Sequence, residues 1–290
     1  MRRFVLSATL VASLFLAPAE SSFPQEEKYC SAVIPCPVLN SPDMENVFGG
    51  RDRLSVKVDS KGLIREMEFI AFPGTVFEII RSFPKNSHRV LEVITAEYTS
   101  SRPLFIDSRF VSFSENKPAA RPKKLPSEKQ IISSMLSMKG QSYMWGGNFH
   151  SGIKQMTEYF PPAGKLGEKE LSLWSLEGVD CSGLIYEASE GCTPRNTSDL
   201  LSFGNGVNIE GLSAEEISRK VKPLDLIVWQ GHVVIVLGPG KTIESTHPEG
   251  VIVSDLVTRL NSIMKERSPA NRWNSSYGKI FVIRRWYTQP

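Results

Sequence analysis

The residues whose types and spacing could carry chemistry are a cysteine and a histidine, in that order along the chain. Cys181 lies in the stretch Gly178 to Gly191, GVDCSGLIYEASEG. Asp180 suits an N-cap, Leu184, Ile185 and Ala188 give a helical apolar stripe, and Gly191 suits the residue just past a helix end. Cys181 is therefore expected in the first turn of a helix. A thiol there sits at the positive end of the helix dipole, loses its proton more easily, and attacks as the thiolate. The bland alternative is a buried cysteine packed as a small hydrophobe. Downstream, Pro223 to Trp229 (PLDLIVW) reads as a strand leading into Gly231-His232 and the apolar run Val233 to Leu237. A cysteine followed by a histidine on an apolar strand is the order expected of a thiol peptidase. The aliphatic run after His232 also fits a core histidine with a satisfied ring.

The chain that must position this pair has 290 residues, 41% hydrophobic and 22% charged, enough for a sizeable core and about two domains. Its formal charge of +3 includes Arg2 and Arg3. These belong to an expected secretory leader, residues 1–19, with an apolar run from Phe4 to Leu16 and Ala17-Pro18-Ala19 as the cleavage site. The mature chain is expected to start at Glu20 and to be exported, to the periplasm or cell wall. Without the leader little net charge remains, so no basic field draws in nucleic acid. The apolar run is far short of the ~20 residues a spanning helix needs, and no cysteine follows it for a lipid anchor. No membrane insertion is expected after the leader is removed.

Four cysteines in an exported chain invite a disulfide reading, which fares poorly here. Cys30 and Cys36 would lie ~20 Å apart if the segment is extended, so only a tight turn could join them. Cys181 and Cys192 would be ~16 Å apart along a helix. Cys181 is thus expected free, and Cys192 a packed thiol.

From Tyr29 to about Phe113 short strands alternate with turn residues: Ser31 to Pro37, Leu54 to Val58, Phe69 to Phe72, Thr75 to Arg81, Arg89 to Glu97 and Leu104 to Phe113. With Pro73-Gly74 as a turn, this reads as a small all-β barrel. The order resembles a bacterial SH3-like barrel over residues 28–114, through Val33-x-x-x-Pro37-Val38-Leu39, the strand PGTVFEII from Pro73 and the strand FIDSRFV from Phe105. Such barrels bind or position, and His88, beside Asn86 and Ser87, is expected to be a solvated loop residue. Residues 115–126 (ENKPAARPKKLP) carry three prolines and four basic residues, the composition of an exposed, extended linker. A helix is expected next, with Ser127 as N-cap, Gln130 completing the capping box, Ile131, Ile132, Met135 and Leu136 buried, and Gly140 as the stop.

The segments YMWGG (Tyr143 to Gly147), VDCSGL, PRNTSD, PLDLIVW and GHVVIVLGPGKTIES resemble, in order and spacing, the NlpC-type cysteine peptidases of bacterial cell-wall metabolism. The resemblance covers about residues 127–287. It implies an α+β chain: a reduced papain-like peptidase domain preceded by the SH3-like barrel. It also implies cleavage of the bond between γ-D-glutamate and a diamino acid in peptidoglycan stem peptides, with no cofactor and no metal. Carried over residue by residue, Cys181 is the nucleophile, His232 the base and Glu244 the residue orienting the imidazole. Tyr143 matches the tyrosine near the oxyanion, and Asp180 and Ser182 match positions that hold a free L-alanine amine. A carboxylate and a hydroxyl beside the nucleophile do suit an ammonium group. Arg195 and Asn196 match a turn.

Two features depart from the family pattern. Glu244 stands where histidine, asparagine or glutamine is usual, and residues 148–179 form an insertion expected to make a lobe beside the site, narrowing the cleft or shaping a substrate pocket. His150 within it is expected to be a loop histidine. Glu244 is preferred to His247 because it follows the base by twelve residues in the family register. Side chains alternate along strands, so an odd hairpin loop, Pro239 to Lys241, would place Glu244 on the histidine's side, and an even loop would select His247. Two alternatives stay open: a non-catalytic wall-binding protein, or a thiol amidase or acyltransferase on the same fold.

Overall fold

Short apolar runs separated by turn residues build the first half of the chain into a sheet, with β-strands such as Cys36–Leu39 and Leu104–Asp107 buried throughout. The computed structural model describes residues 27–50, 52–274, 276 and 278–287, so the expected leader at 1–19 lies outside the described residues. β1 (Tyr29–Ala32), β2 (Cys36–Leu39), a short helix α1 (Met44–Val47), and the two-residue strands β3 (Phe48–Gly49) and β4 (Ser55–Val56) come first. β5 (Met67–Ala71), β6 (Val76–Pro84), β7 (Arg89–Ile94), β8 (Leu104–Asp107) and β9 (Val111–Ser114) follow. Seven of these strands form one sheet in the order β5-β2-β8-β7-β6-β1-β9, while β3 pairs with β4. The turn expected at Pro73-Gly74 is present: Gly74 adopts φ +86° and Thr75 N–H donates to Phe72 O at 3.0 Å.

Three expectations in this half need correction. The strand expected from Ser31 to Pro37 is two strands, because the chain bends before Pro35, which has no N–H to give to a ladder. The strand expected from Leu104 to Phe113 is interrupted by a 3₁₀ turn at Ser108–Phe110, nucleated where the Asp107 carboxylate accepts from Arg109 N–H at 2.8 Å. His88 does lie in a loop, but its ring is only 5% exposed, with Nε2 3.5 Å from Asp107 Oδ2. The tight β6–β7 hairpin, closed by Lys85 N–H to His88 O at 2.9 Å, folds the ring back over β8.

The second half begins with α2 (Glu128–Ser137), whose Ser127–Gln130 capping box forms as expected. Ile131, Met135 and Met138 are buried, whereas Leu136 is 44% exposed. The buried stripe thus runs i, i+4, i+7 and turns away from Leu136. β10 (Asn148–Phe149), α3 (Gln155–Tyr159), α4 (Glu168–Trp174), β11 (Gly178–Val179), α5 (Cys181–Ala188), α6 (Thr197–Leu200), β12 (Asn205–Val207) and α7 (Ala214–Lys220) lead to the main strands. These are β13 (Leu226–Trp229), β14 (His232–Gly238), β15 (Lys241–Thr246) and β16 (Gly250–Asp255), then α8 (Leu256–Met264), β17 (Ser268–Pro269) and β18 (Ile280–Arg285). The sheet order is β12-β18-β13-β14-β15-β16, with β17 beside β18. Alternation then sorts the sheet's two faces. Val233, Ile235 and Ile243 pack with α2 and α5, while Val234, Val236 and Phe281 pack with α7 and α8. The chain is therefore a mixed, sheet-rich α and β structure.

The two halves are joined more closely than an extended linker and a free lobe would allow. Ile153, Met156, Phe160, Trp174 and Leu176 of the 148–179 insertion share one core with the first sheet. Trp174 Nε1–H donates to Phe160 O at 2.9 Å, and Arg109 Nη1 to Tyr159 O at 2.8 Å. The linker's basic residues are also not simply solvated: Arg121 and Lys123 reach Glu97 at 3.0 and 3.4 Å, and the Arg121 side chain is 12% exposed. Burial penalises the Glu97 carboxylate, but the hydrogen bond from Arg121 and the two cations overcome this and hold its pKa below the usual value. No helix among the described residues is long and apolar enough to cross a membrane.

Candidate active site

Asp180 ends β11 and caps α5, accepting Gly183 N–H at 2.7 Å, so Cys181 opens the helix as expected. The helix is pressed so close to β10 that a Cβ on Gly183 would collide with the carbonyl oxygen of Gly147. The site thus needs glycine there. Beyond Ser189, the left-handed turn that ends the helix uses Glu190 (φ +54°) as well as Gly191 (φ +75°). Cys30, Cys36, Cys181 and Cys192 are all free thiols.

The expected acidification of Cys181 is not found. Burial pushes the thiol up to about 12, the neighbouring Asp180 charge adds to this, and Arg195 and the backbone N–H groups of Val233 and Ser182 oppose it. The short helix supplies only a partial positive charge, which the carboxylate at its own cap offsets. Cys181 is 6% exposed, and its Sγ has the Gly231 carbonyl oxygen at 4.0 Å. Among the described residues no hydrogen bond joins Cys181 to His232.

The histidine and its partner are set by the β14–β15 hairpin. Ile235 pairs with Ile243 and Val236 with Thr242, but Gly238 pairs with Lys241, so Leu237 is an extra residue in β14. The loop itself is Pro239-Gly240, shorter than expected. Carried back unbroken, the Gly238–Lys241 register would set His247 opposite His232. The bulge shifts that register by one and brings Glu244 to the histidine's face. His232 Nε2 lies 2.7 Å from Glu244 Oε2. Glu244, 1% exposed, also accepts Arg259 Nε at 2.6 Å and Nη2 at 2.9 Å. Burial works against its charge, but hydrogen bonds from His232 and Arg259 and the Arg259 charge outweigh this and keep the carboxyl below its ordinary value. With Nε2 engaged by Glu244, Nδ1 is the ring nitrogen left for a second partner. The Trp229 ring packs against the imidazole, with centroids 5.0 Å apart and the planes tilted by 41°. His247 stands instead edge-on to Tyr143 at 5.8 Å.

Cys181, Tyr143, Asp180 and Ser182 border one cavity of about 460 Å³. Its far wall comes from the first half of the chain: Arg65, Glu68, Tyr98 and Arg102. Tyr98 donates to Glu68 at 2.7 Å, and the Arg65 guanidinium lies 4.3 Å over the Trp145 ring. Burial, with the charges of Asp180 and Cys181, pushes the Tyr143 phenol upward, so its O–H remains a donor. Beneath the cavity, Arg195, 3% exposed, bonds Asp180 Oδ1 at 2.9 Å, Asp180 Oδ2 at 2.7 Å, Ser182 Oγ at 3.0 Å and Asn148 Oδ1 at 3.0 Å. The insertion does not border this cavity. It lines a second one of about 720 Å³, through Glu168, Lys169 and Glu177, and Tyr143 and His247 border it too. His150 lies in a turn with Nδ1 2.6 Å from Glu187 Oε1. No group of three or more His, Cys, Asp or Glu side chains among the described residues is placed to hold a metal ion.

Arg259, Glu68 and Tyr98 were not singled out by the sequence. A lone arginine on an amphipathic helix looks like surface charge, and Glu68 and Tyr98 meet Cys181 only across the two halves of the chain.

No family model matches the chain, and no curated protein matches it. The solved structures similar to it are NlpC/P60 proteins. NlpC1 from Trichomonas vaginalis is 13% identical over 96% of this chain and 99% of its own, with a TM-score of 0.33. An NlpC/P60 family protein from Bacillus cereus is 15% identical over 90% of this chain, with a TM-score of 0.33, and the match spans 64% of its length. RipD from Mycobacterium tuberculosis, described as a non-catalytic NlpC/p60 domain protein adapted to peptidoglycan binding, is 24% identical over 44% of this chain and 86% of its own, with a TM-score of 0.31. Scores at this level assign neither a residue nor an activity to the present chain.

Proposed function

We propose that this chain is an exported NlpC-type cysteine peptidase that cleaves peptidoglycan stem peptides at the γ-D-glutamyl–diamino acid bond. The observation that carries the reading is the approach of the segment bearing His232 to the N-terminus of the Cys181 helix, where Gly231 O lies 4.0 Å from Cys181 Sγ and both residues line a cavity of about 460 Å³. In this reading residues 28–114 are an SH3-like barrel and residues 127–287 a reduced papain-like domain. Because burial keeps the thiol protonated, His232 acts as a general base as attack begins, not as one half of a standing ion pair. The Sγ proton passes to the imidazole and Sγ bonds to the γ-glutamyl carbonyl carbon. Backbone N–H groups at the start of α5 and the Tyr143 O–H receive the oxyanion. The C–N bond then breaks, the imidazolium returns the proton to the leaving amine, and water hydrolyses the thioester with His232 again as base.

Asp180 and Ser182 border the cavity, but their oxygens already serve Arg195 and backbone donors. An ammonium group at the free end of a stem peptide would share Asp180 with them and find a second carboxylate in Glu68 across the cavity. The first half of the chain would then contribute to substrate choice. The test is digestion of defined muropeptides read by mass spectrometry. Wild type should release a diamino-acid fragment and a dipeptide, and Cys181→Ala should release neither. Hydrolysis by Cys181→Ala would end the peptidase reading.

A second reading is favoured by the raised thiol and by the missing Cys181–His232 hydrogen bond: a wall-binding protein without turnover. Muropeptide binding by calorimetry with no product from wild type would select it.

A further inference from the structure

Glu244 does not act on His232 alone; it is gripped from the other side by a helix that no part of the peptidase reading uses. Glu244 Oε1 accepts Arg259 Nε at 2.6 Å, and Oε2 is shared between Arg259 Nη2 at 2.9 Å and His232 Nε2 at 2.7 Å. A two-pronged guanidinium fixes the plane of a carboxylate as well as its position. The Arg259 side chain is 23% exposed and Glu244 2%, so the pair is only weakly screened by water. Arg259 is placed by packing: Leu256, Leu260 and Ile263 bury the apolar face of α8 on the sheet, while Asp255 caps the helix by accepting Thr258 N–H at 2.9 Å. The Arg259 guanidinium also lies 5.8 Å from the centre of the Trp229 ring, which itself packs at a tilt against the imidazole.

We propose that Arg259 is a positioning residue of the site, clamping Glu244 so that its Oε2 meets His232 Nε2 and leaves Nδ1 as the ring nitrogen free for a second partner. This rests on the peptidase reading for its meaning, but not for its geometry. A neutral amide can orient an imidazole without help. A buried carboxylate in the same place needs a cation, or it takes up a proton and offers a hydroxyl. Glu244 and Arg259 thus act on the imidazole as one unit.

The charges around His232 are few. β15 brings Glu244 and α8 brings Arg259. Arg267, just past α8, lies 4.9 Å over the far ring of Trp229. β13 contributes the uncharged Trp229, and Ile252 of β16 stands opposite Glu244. Cys181 and the Asp180–Arg195 pair lie on the α5 side. Removal of Arg259 therefore takes away the cation that bonds Glu244 directly. Burial then pulls the Glu244 carboxyl upward, and the acidic limb of the rate profile moves to higher pH.

The experiment compares wild type, Arg259→Met and Arg259→Lys by two measurements on the full chain. The first needs no substrate: ring ¹⁵N NMR of His232 at neutral pH, where Nε2–H should be the protonated, hydrogen-bonded nitrogen in wild type. Arg259→Met should lose this fixed tautomer, and Arg259→Lys should keep it. The second is the pH dependence of muropeptide hydrolysis. For Arg259→Met, kcat should fall about tenfold to a hundredfold with KM little changed, and the acidic limb should move to higher pH. Arg259→Lys should recover most of both. Should Arg259→Met misfold, Arg259→Lys against Arg259→Gln makes the same comparison. Identical His232 ring signals in wild type and the neutral variant would overturn the clamp. A changed ring signal with no hydrolysis by wild type would keep the clamp and remove the peptidase.

Discussion

Replacing Arg195 by methionine tests whether the floor of the cavity is held by charge or only by packing. Arg195 is 3% exposed and places two nitrogens on the Asp180 carboxylate, at 2.7 and 2.9 Å. Burial works against its guanidinium, but the Asp180 charge and hydrogen bonds outweigh this and raise its pKa. Methionine fills much of the same space but leaves the Asp180 carboxylate, its side chain 12% exposed, with the N–H groups of Gly183 and Gly146 at 2.7 and 3.1 Å and the Ser182 hydroxyl at 3.2 Å. Breaking a buried pair by removing one partner costs about 3–5 kcal/mol. Asp180 keeps two backbone donors and the Ser182 hydroxyl and borders the cavity, so the lower end applies, about 3 kcal/mol, or roughly a hundredfold in the folding equilibrium. Urea titration should show the midpoint falling at constant slope. Asp180→Asn with Arg195→Met, which removes both charges, should be more stable than Arg195→Met alone. The same loss should slow alkylation of Cys181 at fixed pH, since Arg195 is the cation that opposes the raised thiol. A loss below about 1 kcal/mol, or a double variant no more stable than the single one, would refute the charge argument.

Other outcomes follow from single contacts. Alkylation of wild-type Cys181 should rise steadily with pH beyond 9, because its thiol stands at about 12; a plateau near neutrality would reveal a standing ion pair. Glu244→Gln should retain part of the hydrolytic rate and Glu244→Leu should lose about a hundredfold or more, whereas His247→Ala should matter little; the reverse order would mean that the hairpin pairs in its unbulged register. Glu68→Gln should raise KM for stem peptides with a free amine while leaving kcat near wild type, and an unchanged KM would remove the first sheet from recognition. Glu97, whose pKa is lowered in the folded chain, contributes stability above its unfolded value of about 4.5 that disappears as pH falls through its folded value. Acid titrations of Glu97→Gln should therefore lack part of the wild-type loss in that window.

Local rules in the sequence reached the elements that are local in space. The Ser127–Gln130 box and the Asp180 cap each concern a few adjacent residues, and both are present. The family register, twelve residues after His232, selects Glu244, whereas the loop parity leaves Glu244 and His247 open and misses two features that cancel: the loop is shorter by one, and Leu237 bulges by one. A bulge inside an aliphatic run leaves no trace in composition. The thiol was misjudged because a helix N-terminus can be read from Asp180 to Gly191, whereas the burial that dominates Cys181 comes from elements distant in the chain. The insertion was misplaced for a related reason. Its Phe160, Leu171, Leu173 and Trp174 announce an apolar face, but not which surface will cover it.

That last point bears on how the cavity acquires its shape. Because Trp174 and Phe160 are buried with the first sheet, the insertion ties that sheet to the strand β11 leading into Cys181. The Arg121–Glu97 contact ties it again at the linker. With the hydrogen bonds of Asn148 to the Ile70 backbone and of Asn196 to Thr99 O, these attachments restrain rotation of one half against the other more than a single linker would. Glu68 and Tyr98 can then face Cys181 at a fixed distance, as a recognition wall must if binding energy is to orient a scissile bond. A shortened insertion, with residues 153–176 replaced by a glycine–serine loop, should therefore keep the Cys181 helix and the His232–Glu244 contact but lose the wall. On the peptidase reading, kcat/KM for free stem peptides should fall while the His232 ring ¹⁵N signals stay as in wild type. Unchanged kcat/KM would mean that the linker and the contacts of Asn148, Tyr186 and Asn196 with the first half hold the wall without the insertion.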